Sequence, residues 1–206
     1  MTRAALTFAL LVALSSTAQS HQLDELLQAT RLNISPGRIV VELDVTPGVA
    51  IASRVFAEID RDGDARVSAS EVEWYARGML QDVSVWIDGL QYPLTLSRAA
   101  APSWDEIQEG TGTIRVEAFA DAPAARTGRH RISYENRHQP AIAVFLVNAL
   151  KPASDVTIRA QRRDVLQSRM DLDVDVAGPL TAVIWPAFLV GGLMCALLVR
   201  LSSRPE

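Results

Sequence analysis

The chain has 206 residues, 49% hydrophobic and 21% charged, with 24 acidic against 20 basic side chains and a formal net charge of −4. That balance, with no run of lysine or arginine, argues against a nucleic-acid partner, and the hydrophobic share is too high for a disordered chain. The single cysteine, Cys195, excludes an intrachain disulfide, so any domain outside the cytoplasm must be held by its core.

The amino end predicts secretion. Thr2-Arg3, the apolar run Ala4 to Leu14 and the small residues Ala18 and Ser20 have the layout of a signal peptide over residues 1–20, with an apolar part too short for a lasting span. Cleavage after Ser20 would leave His21 as the mature amino terminus. A short amphipathic start at Leu23 to Leu27 follows. Arg31 to Ile34 and Arg38 to Val45 then flank Pro36-Gly37, with Ile39, Val41, Leu43 and Val45 alternating on one face, a hairpin signature.

Thr46-Pro47 reads next as the cap and first turn of a helix. Ala52, Val55, Phe56 and Ile59 share one helical stripe, and Val72, Tyr75, Ala76 and Met79 share a second, so two helices flank the loop Asp60 to Glu71, D-R-D-G-D-A-R-V-S-A-S-E. A hard cation such as Ca²⁺ needs six to eight oxygens at about 2.3–2.6 Å, and a short loop supplies them only when carboxylates recur at every second residue. Asp60, Asp62 and Asp64 fill positions 1, 3 and 5. Arg66 would give its backbone carbonyl, Ser68 a hydroxyl or a bridging water, and Glu71 the bidentate carboxylate at position 12. Ser68 and Glu71 also form a capping box for the second helix, a structural task that needs no metal.

On these residues the segment from Val49 to Leu80 resembles the EF-hand superfamily, as an insertion over residues 47–80. It departs from the family at position 6, where Ala65 stands in place of the glycine that a positive φ favours, at a cost of about 1–2 kcal/mol. Gly63 sits at position 4 instead. Arg61 and Arg66 offset part of the acidic charge. EF-hands usually pair through position 8, here Val67, but the only other comb of carboxylates, Asp171, Asp173 and Asp175, has Ala182 at its twelfth position and no preceding helix. One hand is expected, in the weak regime with a Kd on the order of 10⁻⁴–10⁻³ M.

The remainder alternates with turns at short intervals. Val83 to Ile87 and Leu90 to Leu96 flank Asp88-Gly89, a two-residue hairpin signal. Ile114 to Ala118, Ile132 to Glu135, Ile142 to Val147, Val156 to Ile158 and Leu172 to Val176 complete eight or nine short strands. Ala99 to Pro102 and Ala120 to Ala125 read as exposed loops. The three aspartates of the last strand read as a solvated face that discourages edge pairing, with a second calcium site there as the alternative. The expected class is mainly β, an immunoglobulin-like β-sandwich over residues 21–178 carrying the EF-hand-like helix-loop-helix. Leu180 to Val199 is a run of about twenty uncharged residues, long enough for a transmembrane helix, and Arg200 and Arg204 put the tail 200–206 in the cytoplasm. A buried core helix and a processed sorting tail are the other readings of that run.

No nucleophile motif, H-E-x-x-H or catalytic thiol stands out, so no enzyme is expected. Tyr134 to Pro140 is the most polar stretch and reads as a strand end and turn fixed by Asn136 and Pro140. A sharper alternative makes His21, with its α-amine, one ligand of a copper site completed by His130 and His138. The start at His21, the sandwich-like domain and the run Asn136-Arg137-His138-Gln139-Pro140-Ala141 leading into Val144 to Leu150 also resemble extracytoplasmic domains of membrane proteins of the nickel-permease-related HupE/UreJ kind. The multi-span histidine-bearing part of those proteins is missing, so the resemblance implies no transport. The expected function is therefore a calcium-binding, membrane-anchored extracytoplasmic module that is structural or presents a surface to a protein partner. Its rivals are a copper- or nickel-handling accessory protein using His21, and a structural domain with a vestigial hand.

Overall fold

A computed structural model describes residues 23–123 and 127–178. The expected signal segment, His21, the expected span 180–199 and the tail 200–206 lie outside the described residues. Among the described residues no helix is long and apolar enough to cross a membrane.

The chain is mainly β, with ten strands in two five-stranded sheets among the described residues. The first sheet runs β5 (Thr95–Ala100), β6 (Ile114–Asp121), β2 (Arg38–Pro47), β1 (Leu26–Ser35), β8 (Ala143–Ala149); the second runs β4 (Leu90–Tyr92), β3 (Val83–Ile87), β7 (Gly128–Asn136), β10 (Arg169–Val176), β9 (Val156–Arg163). All neighbours are antiparallel except β1 and β8, which are parallel. Period-two alternation decides what each strand buries. Leu32, Val41 and Val116 of the first sheet meet Val85, Tyr134 and Leu172 of the second in one apolar core. Burying each such aliphatic side chain stabilises the fold by about 1.5–3 kcal/mol.

Both expected hairpins form, for reasons visible in their turns. Ser35 pairs with Arg38 across Pro36-Gly37, with Gly37 at φ 76°. Ile87 pairs with Leu90 across Asp88 (φ 53°) and Gly89 (φ 83°), the two positive angles that match the twist of flanking strands. Asp88 also works as a brace, because its carboxylate accepts from Arg131 N–H at 2.8 Å and bonds His130 Nδ1 at 2.7 Å.

Several expected boundaries move. Thr46-Pro47 caps no helix: Pro47 ends β2 opposite Leu26, and Thr46 Oγ1 lies 2.9 Å from Thr113 Oγ1. A proline suits a strand end, where its missing N–H breaks no ladder. The amphipathic start at Leu23 to Leu27 runs into strand, since Leu26 opens β1 by pointing inward while Leu27 points out. The run Leu90 to Leu96 divides around Pro93, its first half pairing with β3 and its second joining the other sheet as β5. The expected loop at Ala99 to Pro102 is strand as far as Ala100, with Ala99 opposite Val116, and the one at Ala120 to Ala125 begins only after Asp121. At the second place the alanines fit beneath neighbours, Ala120 and Ala122 being fully buried, whereas at the first Ala99 is half-buried and Ala100 exposed.

β10 is an inner strand, which corrects the edge reading of its aspartates. Asp173 sits between Arg131 (3.2 Å) and Arg162 (3.0 Å), Asp175 between Arg129 (3.3 Å) and Arg159 (2.7 Å), and Asp171 faces Arg169 (3.3 Å). The comb is therefore half of a cross-strand ion ladder.

Helices α1 (Ala52–Ile59) and α2 (Ala69–Leu80) carry the chain from β2 to β3, and a third, α3 (Trp104–Gln108), lies between β5 and β6. The pairings of Leu26 with Pro47 and Ala143, and of Val83 with Asn136, gather the ends of these strands beside the two longer helices.

Candidate metal centre

Helix α1 buries Ala52, Val55, Phe56 and Ile59, the stripe its spacing predicts, and α2 buries Val72, Tyr75, Ala76, Met79 and Leu80. The two helices hold the loop from both sides. α1 ends at Asp60, whose N–H donates to Phe56 O at 2.8 Å. α2 starts with the expected capping box, in which Ser68 Oγ accepts from Glu71 N–H at 3.4 Å and Glu71 Oε2 accepts from Ser68 N–H at 2.9 Å.

Between the helices the aspartates wind the backbone around themselves. Asp60 Oδ1 accepts from the N–H groups of Gly63 (2.9 Å) and Asp64 (3.2 Å), and its Oδ2 from Ala65 N–H (2.9 Å). Asp62 Oδ1 accepts from Asp64 N–H at 3.2 Å, and Asp64 Oδ1 from Arg66 N–H at 2.8 Å. Such side-chain turns need chain reversals within two or three residues, and the reversals come from φ 73° at Gly63 and 62° at Ala65. Position 6 thus adopts the left-handed backbone that its place in the loop demands, on a residue that pays for its Cβ there. Because the loop already takes this angle without an ion, Ala65→Gly is expected to relieve about 1 kcal/mol of strain in the fold itself, seen as a rise of roughly 2–4 °C in Tm in chelator, with calcium affinity little changed.

Glu71 closes the loop from α2. Its Oε2 takes Ser68 N–H and, at 2.7 Å, the Ser68 hydroxyl, while Oε1 takes Arg61 N–H at 2.8 Å and Asp62 N–H at 3.4 Å. Those donors, Ser68 first, pull the carboxyl down to about 2, so it is an anion throughout the neutral range. Oxygens of Asp60, Asp62 and Glu71 all lie within 4.8 Å of one another, compatible with three ligands around one ion at calcium distances. Asp64 stands outside that trio. Arg66, expected to offer its backbone carbonyl, donates its N–H to Asp64, and the Ser68 hydroxyl is tied to the trio through Glu71. Neither arginine of the loop pairs with its carboxylates among the described ion pairs; Arg61 instead lies over the Trp74 ring, 4.2 Å from its centre.

The two described histidines do not assemble. His130 pairs with Val174 within β7, whereas His138 follows the far end of that strand, so six residues of rise, roughly 20 Å, separate them before β7 ends. That distance corrects the idea that both could join one copper ion. His138 is instead a core residue, 8% exposed, with Nδ1 2.9 Å from Asp82 Oδ2. Its ring meets that of Tyr75 edge-on at 6.0 Å, which ties α2 to the end of β7.

One element beside the loop escaped the reading of hydrophobic periods: α3, which is too short to show a period. Its signal was Ser103-Trp104-Asp105-Glu106, a capping box formed here with Glu106 Oε2 2.8 Å from Ser103 N. No protein-family model and no curated protein matches the chain.

Proposed function

We propose that the chain is a calcium-binding, non-enzymatic module anchored to a membrane by residues 180–199, with its body outside the cytoplasm. The observation that carries this reading is the convergence of Asp60, Asp62 and Glu71 oxygens within 4.8 Å, at loop positions 1, 3 and 12 between two helices. Calcium would replace part of the hydrogen bonding that now folds the loop and would fix the angle between α1 and α2. The two-sheet body, which we read as an immunoglobulin-like sandwich, would carry the hand toward a protein partner of the cell envelope. The acidic balance speaks against nucleic acid in that role.

Calcium titration of the full chain tests the proposal. With a Kd of about 10⁻⁴–10⁻³ M, 10 mM calcium adds about 1.4–2.7 kcal/mol of stability, or roughly 3–10 °C in Tm. The loop should also gain resistance to trypsin at the exposed Arg61 and Arg66. An unchanged Tm and unchanged cleavage would leave a vestigial hand.

A further inference from the structure

A solitary hand leaves two surfaces to cover: the apolar side of its loop at position 8 and the outer side of its entering helix. Here both are already occupied. Ala52 and Phe56 of α1 form a cluster with the fully buried Ile107 of α3, and Val67 of the loop and Trp104 pack against that cluster. The Phe56 and Trp104 rings lie 4.4 Å apart, tilted by 50°. We propose that α3 stands in for the missing second hand, making Trp104 and Ile107 positioning residues for the calcium site. This inference rests on the calcium reading above.

The element is built to hold a position. Its capping box fixes the first turn, and after Gln108 the N–H groups of Thr111 (3.0 Å) and Gly112 (2.8 Å) both return to Glu106 O. Gly110 takes φ 70°, where an added Cβ would come within 2.9 Å of a Val49 methyl. A Cβ on Gly112 would sit 2.9 Å from backbone atoms of Glu106 and Ile107, so the turn is wound as tightly as the chain allows. On either side β5 and β6 pair with each other, which anchors both ends of the connection to the first sheet.

α1, by contrast, has no side-chain cap at Ile51 and spans only eight residues. A helix that short takes its orientation from packing, not from its own propensity. Asp60 follows directly on α1 and Glu71 belongs to α2, so the spacing of these ligands depends on how α1 is held. α2 holds it from one side and α3 from the other. Without α3 the carboxylates would have to be gathered at the moment of binding, and that ordering cost would appear as lost affinity.

The test compares the full chain with Trp104→Ala, Trp104→Phe and, as a control of general stability at the far end of the body, Val176→Ala. Calcium affinity is read by titration and the mass of the particle by sedimentation with and without calcium. Trp104→Ala should raise Kd by about tenfold, the scale of lost support behind a metal ligand. Trp104→Phe should restore most of it, Val176→Ala should leave Kd unchanged, and one calcium should bind per chain at a Kd independent of protein concentration. Wild-type affinity in a folded Trp104→Ala would overturn the inference, as would calcium-driven dimerisation, which would mean that a second copy supplies the partner. If Trp104→Ala unfolds, Trp104→Leu serves in its place with the same expectation. A wild-type chain that takes no calcium removes the underlying reading instead, an outcome distinct from either of these.

Discussion

Glu71→Gln should abolish most of the calcium response, raising the fitted Kd on the order of 100-fold and erasing the calcium-dependent rise in Tm. Two losses combine. Only Glu71 brings a charged pair of oxygens from α2, so without it the ion loses both a bidentate ligand and the link that makes helix orientation depend on occupancy. The amide also suits the empty loop badly. Each carboxylate oxygen faces backbone donors, Oε1 those of Arg61 and Asp62 and Oε2 that of Ser68. With its NH₂ at the Oε1 position the amide confronts two N–H groups, and at the Oε2 position it confronts Ser68 N–H and forces the Ser68 hydroxyl to turn from donor to acceptor. Melting curves in chelator and in calcium separate the effects: the first loss appears only in the difference between the curves, the second in the chelator curve itself. A variant that kept the wild-type difference would show that the ion sits elsewhere, and the acidic loop would then be a turn.

The helix-loop-helix was legible because its signals are local. Four carboxylates at fixed spacing, a capping box and two stripes of period 3.6 all lie within the chain from Ala52 to Leu80. Hairpins at Pro36-Gly37 and Asp88-Gly89 were legible for the same reason, since a two-residue turn with positive φ dictates its own register. What the sequence hid is decided between distant residues. Pro93 directs the two halves of one apolar run to different sheets, and nothing near it says which. Asp171, Asp173 and Asp175 look like an edge until Arg129, Arg131, Arg159 and Arg162 arrive on both flanking strands. The cover over α1 lies in a helix of five residues, shorter than the window in which any period can be counted.

Asn136 ends β7 and fixes the following turn as expected, and it is also the centre of a buried polar chain that the sequence did not disclose. Asn136 Nδ2 donates to Gln28 Oε1 at 2.8 Å, Asn136 Oδ1 accepts from His138 N–H at 2.9 Å, and Gln28 Nε2 donates to His138 O at 2.8 Å. Gln28 is fully buried and Asn136 only 1% exposed. The closed ring joins β1 of one sheet to the end of β7 of the other, directly beneath the contact between His138 and Tyr75 of α2. Asn136→Ala therefore orphans one acceptor and one donor in the core, at about 1–3 kcal/mol for each group. We expect a loss of about 2–4 kcal/mol, or roughly 5–15 °C in Tm for a domain of this size, seen by calorimetry. Because the ring also seats the end of α2, the variant should lose protection from hydrogen exchange at Tyr75 and Ala76 before the strands far from it open. Replacing both side chains, Gln28→Met with Asn136→Leu, removes the Gln28–Asn136 pair together but orphans the N–H and the carbonyl of His138, so it should recover little of the loss. A single Asn136→Ala costing under about 0.5 kcal/mol would mean that water reaches these groups, and that the tie between the hand and the sheets is made by apolar packing alone.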